Sequence, residues 1–167
     1  MKNFEGVPKM LIAENLKKFL LNKGFVSVGT SDLSGQPNAA PKFIIKVDNG
    51  FVYLADYVIG QTFQNLKINP KISLSTIDMK TLEGWRINGT VKIMTRGAQY
   101  KIISKTMINL EVHNTARRVL EDVQGVQKHN VYEVSFPKKV VILKVKCEKV
   151  TKIGITGKLQ SKRLKKL

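Results

Sequence analysis

This chain is poor in the side chains that build most catalytic and metal centres. It has one cysteine, Cys147, and two histidines, His113 and His129. A lone thiol forms no disulfide within the chain, and neither histidine has Cys, Asp or Glu companions at ligand spacing, so no metal site is expected. The single cysteine makes a reducing, intracellular setting the default. Acids are scarce too, with 12 Asp and Glu against 29 Lys and Arg. Glu121 and Asp122 are adjacent on a helical stretch and so point to different faces, which leaves hydrolysis by paired carboxylates without a seat. There is no GxSxG elbow, no HExxH and no Walker loop. His113, in or beside a helical stretch, reads as a polar surface residue rather than a base, and no catalytic residue is expected. No stretch approaches the roughly 18 consecutive apolar residues of a membrane span. Polar and charged residues interrupt every apolar run near the N-terminus, so no leader peptide is expected and a cytoplasmic location follows.

What is present is a hydrophobic content of 43% and a charged content of 25%, the balance of a globular chain. At 167 residues a single core forms without disulfide or metal staples. One domain is expected over residues 1–157, followed by a basic tail over 158–167. The tail, KLQSKRLKKL, carries Lys158, Lys162, Arg163, Lys165 and Lys166 and no acid. It reads either as a solvated arm or as a weak nucleic-acid contact, and the net charge of +17 favours anionic ligands generally.

The chain punctuates clearly. Apolar residues from Pro8 to Asn22 recur with helical rhythm, and Gly24 supplies a stop. Phe25–Thr30 alternates as a strand, SDLSGQ is turn chemistry, and a second strand starts near Pro37. Asp48-Asn49-Gly50 separates two β-rich runs, the strongest short hairpin signal, because both central turn positions need positive φ. A Gly60-Gln61-Thr62 loop then opens a short helix from Phe63 to Ile68. Strands follow over Lys71–Ile77 and Trp85–Met94, the latter with Gly84 before it and Gly89 inside it as signs of curling. One or two helices are expected over Ala98–Leu110 and Thr115–Val123. Strands return over Val131–Phe136 and Lys139–Val145. The fold class is mainly β with flanking helices (α+β), a small barrel of curled antiparallel strands.

The positive functional signal lies between Pro37 and Pro70. Lys42 stands on one strand face with Ala40 and Ile44, while Gln61 and Thr62 open a helix. A phosphate held between that ammonium and the helix-end donors would be bound by charge and by oriented N–H groups together. The alternative is that Thr62 caps the helix and Lys42 snorkels to water. Phe43, Tyr57, Phe63 and Trp85 fall in or beside the same segments. They suit a planar ligand, or fill a core.

In order, GFVSVGT, SGQPNAAPKF, DNGFVYLADY, VIGQT, NLKINPKISL and WRINGTVKI resemble the pyridoxamine phosphate oxidase-like FMN-binding split-barrel family, over about Leu16 to Met94. Asn69-Pro70, followed by an apolar strand and a strand containing Gly89, is the most recognisable part. The resemblance implies a split barrel of about six antiparallel strands, a homodimer, and FMN at the subunit interface. It assigns ring and ribityl contacts to Pro41, Lys42, Phe43 and Ile44, and to Ala55, Asp56 and Tyr57. It assigns the phosphate loop to Gln61 and Thr62 and the flavin edge to Trp85. The chain has Gln61 and Thr62 where vitamin-oxidising members carry an Arg-Lys pair, and lacks their C-terminal substrate-binding Arg and His. It therefore resembles the small FMN-binding and general-stress-type members more closely. The function implied is flavin-dependent oxidoreduction with an unknown small-molecule redox partner. A non-enzymatic FMN carrier or electron-transfer protein, and nucleic-acid binding through the basic surface and tail, are the alternatives. Deazaflavin, FAD or haem are the alternative cofactors.

Overall fold

The computed structural model describes residues 12, 14–57, 59–125, 140–154 and 159–164. The helices are α1 (Glu14–Lys23), α2 (Gln61–Ile68) and α3 (Ala98–Val123). The strands are β1 (Phe25–Ser31), β2 (Pro37–Asp48), β3 (Phe51–Asp56), β4 (Lys71–Asp78), β5 (Glu83–Met94), β6 (Val141–Ile153) and β7 (Leu159–Arg163). They run in the order β3-β2-β1-β4-β5-β6-β7, and a further pairing of β3 with β6 closes β1 to β6 into a six-stranded antiparallel barrel. β7 is an added edge on β6.

The β2–β3 turn is as the sequence dictates: Asn49 and Gly50 have φ of 46° and 81°, the mirror-image turn whose twist matches its strands. The barrel interior is lined by alternate residues such as Val26, Val28, Val52, Leu54, Leu143 and Val145. Leu16 and Leu20 of α1 and Leu66 of α2 join that core. α2 is tied to the end of β1 by Asn65 to Thr30 and Asn69 to Ser31. α1 leads directly into the start of β1 through Gly24, whose carbonyl accepts from the Ile44 amide.

Bulges reset which residues face inward. An irregularity between Ile44 and Lys46 lets both Ile44 and Val47 enter the barrel while Ile45 stays outside. Outside, Ile45, Tyr53, Ala55, Met94 and Ile142 form a second cluster under Ile103 and Met107 of α3.

Three expectations are corrected, and the choice between one and two helices over residues 98–123 is decided. α2 begins at Gln61, so Gln61 and Thr62 are its first turn rather than a loop before it. α3 is one helix of 26 residues, because nothing in Glu111–Asn114 breaks a helix: the stretch has neither Gly nor Pro. β6 reaches Ile153, well past Val145, through its long pairing with β5. Part of the basic C-terminal segment, Leu159–Arg163, is not a free arm but the edge strand β7. The residues before Ile12 and the expected strand Val131–Phe136 lie outside the described residues. Among the described residues, no helix is long and apolar enough to cross a membrane.

Candidate functional site

Lys42 on β2 and Asp56 on β3 both point to the inner side of the barrel wall. Their neighbours Phe43 and Ala55 are cross-strand partners, which puts the two side chains within reach of each other. Lys42 Nζ donates to Asp56 Oδ1 at 2.6 Å, with only 8% and 0% of the side chains exposed. The ammonium expected to face the start of α2 is therefore matched to a buried carboxylate, and it neither snorkels to water nor offers a net charge to a phosphate.

The start of α2 is held by a separate polar network. Asn38 Nδ2 donates to Thr62 Oγ1 at 3.0 Å and to Thr30 Oγ1 at 3.4 Å. Asn65 Nδ2 donates to Thr30 Oγ1 at 3.2 Å, and Gln61 Nε2 donates to Asn65 Oδ1 at 2.7 Å. Thr62 and Asn65 are buried, so these bonds satisfy groups that would otherwise be costly to desolvate. Thr62 is thus not the cap. Gly60 is the N-cap and provides no side-chain bond to the helix, so no side chain competes for the first-turn N–H groups. Thr30, Asn38 and Asn65 were not singled out by sequence. Their signal was an asparagine inside a strand and another inside a short helix, positions that both types disfavour.

On the outside of the same strands lies a cleft of about 680 Å³ between β2–β3 and α3. Phe43, Ile44, Ala55 and Tyr57 contribute one wall, and Glu111 and Arg118 belong to the other. Phe43 is 54% exposed, and its ring meets that of Tyr57 edge to face, with centroids 5.8 Å apart. Tyr57 donates its hydroxyl to Glu111 Oε1 at 3.0 Å. Burial foremost, and the Glu111 carboxylate beside it, push the phenol well above its ordinary value, so Tyr57 stays protonated and a donor. Arg117 pairs with Glu121 at 3.7 Å along the same helix. The α3 wall was invisible to sequence reasoning, because nothing local says which strands a distant helix will cross.

The structure thus brings Lys42 to Asp56, Phe43 to Tyr57, and Gln61 to Thr62 in one helical turn. Pro41 is exposed, opposite Ser27 on the outer face. Trp85 is not brought to the cleft. It is buried in a separate crevice with Leu16, Val150 and Lys152. There it meets Phe19 at 6.4 Å and donates Nε1 to Glu83 Oε1 at 3.1 Å. Among the described residues no group of three or more His, Cys, Asp and Glu could hold a metal ion.

A barrel closed by β3 on β6, with a short helix after the third strand, is matched by the sequence itself. Residues 12–150 fit the family model for pyridoxamine 5'-phosphate oxidase. The chain belongs to this family. An uncharacterized protein of Methanocaldococcus jannaschii is 31% identical over 104 residues, which are 60% of this chain and 68% of that protein. The crystal structure of Group A Streptococcus HupZ shares 27% identity, covers 87% of this chain and 96% of its own, and has a TM-score of 0.59. Two more distant structures share the fold alone. An FMN-binding protein of Nostoc punctiforme is 11% identical, with 99% and 100% of the two chains covered and a TM-score of 0.55. A heme-binding protein of Mycobacterium smegmatis is 12% identical, with 84% and 52% covered and a TM-score of 0.57.

Proposed function

We propose that this family member binds FMN as a homodimer and acts as a flavin-dependent oxidoreductase on a small-molecule partner. The observation that carries the reading is the aromatic wall: an exposed Phe43 ring braced edge-on by Tyr57 at the mouth of a cleft. Such a surface suits a planar heteroaromatic ring. Family membership and the FMN-binding relative of the same fold support the choice of flavin.

The residues fit the group at both ends, in different ways. Phe43, Ala55 and Tyr57 offer the apolar and aromatic contacts for the ring, with Ile44, whose side chain enters the barrel, between them along the cleft and Pro41 on the adjoining outer surface. The first turn of α2, Gln61 and Thr62 with no side-chain cap, offers N–H donors and a positive dipole end for the phosphate. Lys42 and Asp56 hold β2 to β3 beneath the wall rather than touching the ligand. Trp85 serves the core in its own crevice. When bound, FMN supplies the hydride or electron chemistry. The chain supplies binding, orientation and a protonated Tyr57 donor.

A heme-binding protein shares the fold, so haem is the competing ligand. His113, the one described histidine, is exposed and is not among the residues lining the cleft, which favours flavin.

The test is a titration of the purified protein with FMN and, separately, with haemin, read by visible absorption and flavin fluorescence. FMN quenching with a shifted flavin band, and consumption of reduced nicotinamide by the loaded protein, are expected. Tight FMN binding without turnover would make the protein a flavin carrier. A Soret shift with no flavin response would replace FMN by haem.

A further inference from the structure

We infer that the crevice beside Trp85 is a second binding site, built for a small aliphatic carboxylate with one anionic head and an apolar tail. The crevice measures about 340 Å³. It exists because of β7. The barrel closes through β3 and β6 without that strand, so the ladder of β6 with β7 carries the inner face of the sheet past the barrel and beneath α1. Register sets its floor in two rows: Trp85 beside Lys152 beside Gln160, and Ile87 beside Val150 beside Lys162. Ile12, Asn15 and Leu16 line it from the α1 side. The Leu164 amide donates to the Glu148 carbonyl at 2.8 Å, which fixes the end of β7 and keeps the Leu164 side chain on the crevice.

The walls select the tail. Ile12, Leu16, Trp85 and Val150 are 6%, 1%, 8% and 8% exposed, so the space between them is apolar and narrow. A dry apolar cavity of about 150 Å³ already takes one benzene molecule, and this one is larger. The Trp85 ring is no open stacking platform, because Lys152 Nζ lies 5.5 Å from its centroid and Nε1 is bonded to Glu83. A flexible hydrocarbon chain fits such a space better than a flat ring system.

Charge selects the head. Lys152 is matched by Glu83 at 3.0 Å. Lys162 is in no ion pair among the described residues. The described lining therefore carries one positive charge without a counter-charge, and a single carboxylate balances it with charge-assisted hydrogen bonds. Amide donors stand nearby. Gln160 is exposed beside Lys152, and Asn15, whose Oδ1 accepts from the Leu16 amide at 2.8 Å, keeps its own N–H groups to donate.

The crevice and the cleft assigned to FMN share no lining residue, so either binding activity can be absent while the other is measured. Trp85 is the only tryptophan of the chain, which makes its emission a direct reporter. The experiment titrates the full chain with octanoate, octanol and acetate, read by Trp85 emission and by calorimetry. Octanoate is expected to saturate at one per chain with Kd below about 1 mM. Octanol, which lacks the charge, should bind about fivefold or more weakly, and acetate, which lacks the tail, should show no saturation. Lys162→Gln is expected to weaken octanoate about tenfold and leave octanol unchanged, whereas Lys162→Arg stays within about twofold of wild type. Val150→Phe, which fills the crevice, should weaken octanoate and octanol alike, and thermal melts verify that each variant is folded. Absence of saturable octanoate binding would overturn the inference, as would octanoate binding that neither Lys162→Gln nor Val150→Phe alters. Octanol as tight as octanoate would overturn the assigned head, and acetate as tight as octanoate the assigned tail. Displacement of bound FMN by octanoate would move the fatty anion to the cleft and overturn the second site.

Discussion

Lys42 Nζ lies 2.6 Å from Asp56 Oδ1, across two strands and out of water. Removing one member of a buried pair costs about 3–5 kcal/mol, because the other keeps its desolvation penalty. Lys42→Met is therefore expected to lower stability by that amount in urea unfolding. Lys42→Met combined with Asp56→Leu should recover most of the loss. A single variant within about 0.5 kcal/mol of wild type would show that the pair is not formed in solution.

Gln61 opens α2 at an exposed position. Gln61→Glu places a carboxylate at a positive dipole end, worth a few tenths to about 1 kcal/mol, but removes the Nε2 donor to the buried Asn65 Oδ1, which costs about 1–3 kcal/mol, so stability is expected to fall. The same charge opposes a phosphate, so FMN affinity should fall about tenfold, or about 1.4 kcal/mol. Gln61→Ala, which loses the same hydrogen bond without adding a charge, is the control: FMN affinity should fall further in Gln61→Glu than in Gln61→Ala. Unchanged FMN affinity would remove the phosphate from this turn.

Gly89 sits where β5 meets the bulge of β6, and a Cβ there would lie 2.0 Å from the Lys146 carbonyl oxygen. That neighbour is backbone and cannot swing aside. Gly89→Ala is expected to cost about 3 kcal/mol or more by forcing the two strands apart. Gly29→Ala meets nothing closer than 3.6 Å and should be far milder. Denaturant midpoints of the two variants, measured side by side, check the contrast.

Asp78 joins the end of β4 to Lys23, the last residue of α1, at 2.6 Å. The hydrogen bond from Lys23, then the backbone amides of Lys80 and Thr81, hold its carboxyl at about 2 against an ordinary 3.8. Because the folded-state value is depressed, the stabilisation is complete above the ordinary value and is lost as pH falls from there through about 2. Asp78→Asn should flatten the acid limb of a melting-temperature profile in that window. A profile parallel to wild type would show that the pair contributes nothing to acid stability.

The Asn49-Gly50 hairpin, the helix stop before Gly24 and the order of strands up to Met94 were legible in the residues, because each rests on local backbone preference or on period-two alternation. The same local logic placed Phe43 and Tyr57 on neighbouring strands. It could not say that their rings meet, since that depends on register. Nor could it say that α3 runs unbroken past Leu110 and supplies Glu111 to Tyr57, a contact between residues far apart in sequence. Trp85 shows the limit plainly. Its strand was read correctly, yet which side of the barrel it fills was decided by α1 and β6 packing around it.

The sequence alone determined the order of the elements up to Met94, the tight turns and the excess of positive charge, all properties of composition and near neighbours. Only the folded chain decided that the lysine read as a ligand for phosphate is matched to Asp56, and that Trp85 and Lys162, far apart in sequence, line one crevice. Closing the barrel fixes which alternate side chains are shut in and which stand together outside. No local preference encodes that choice.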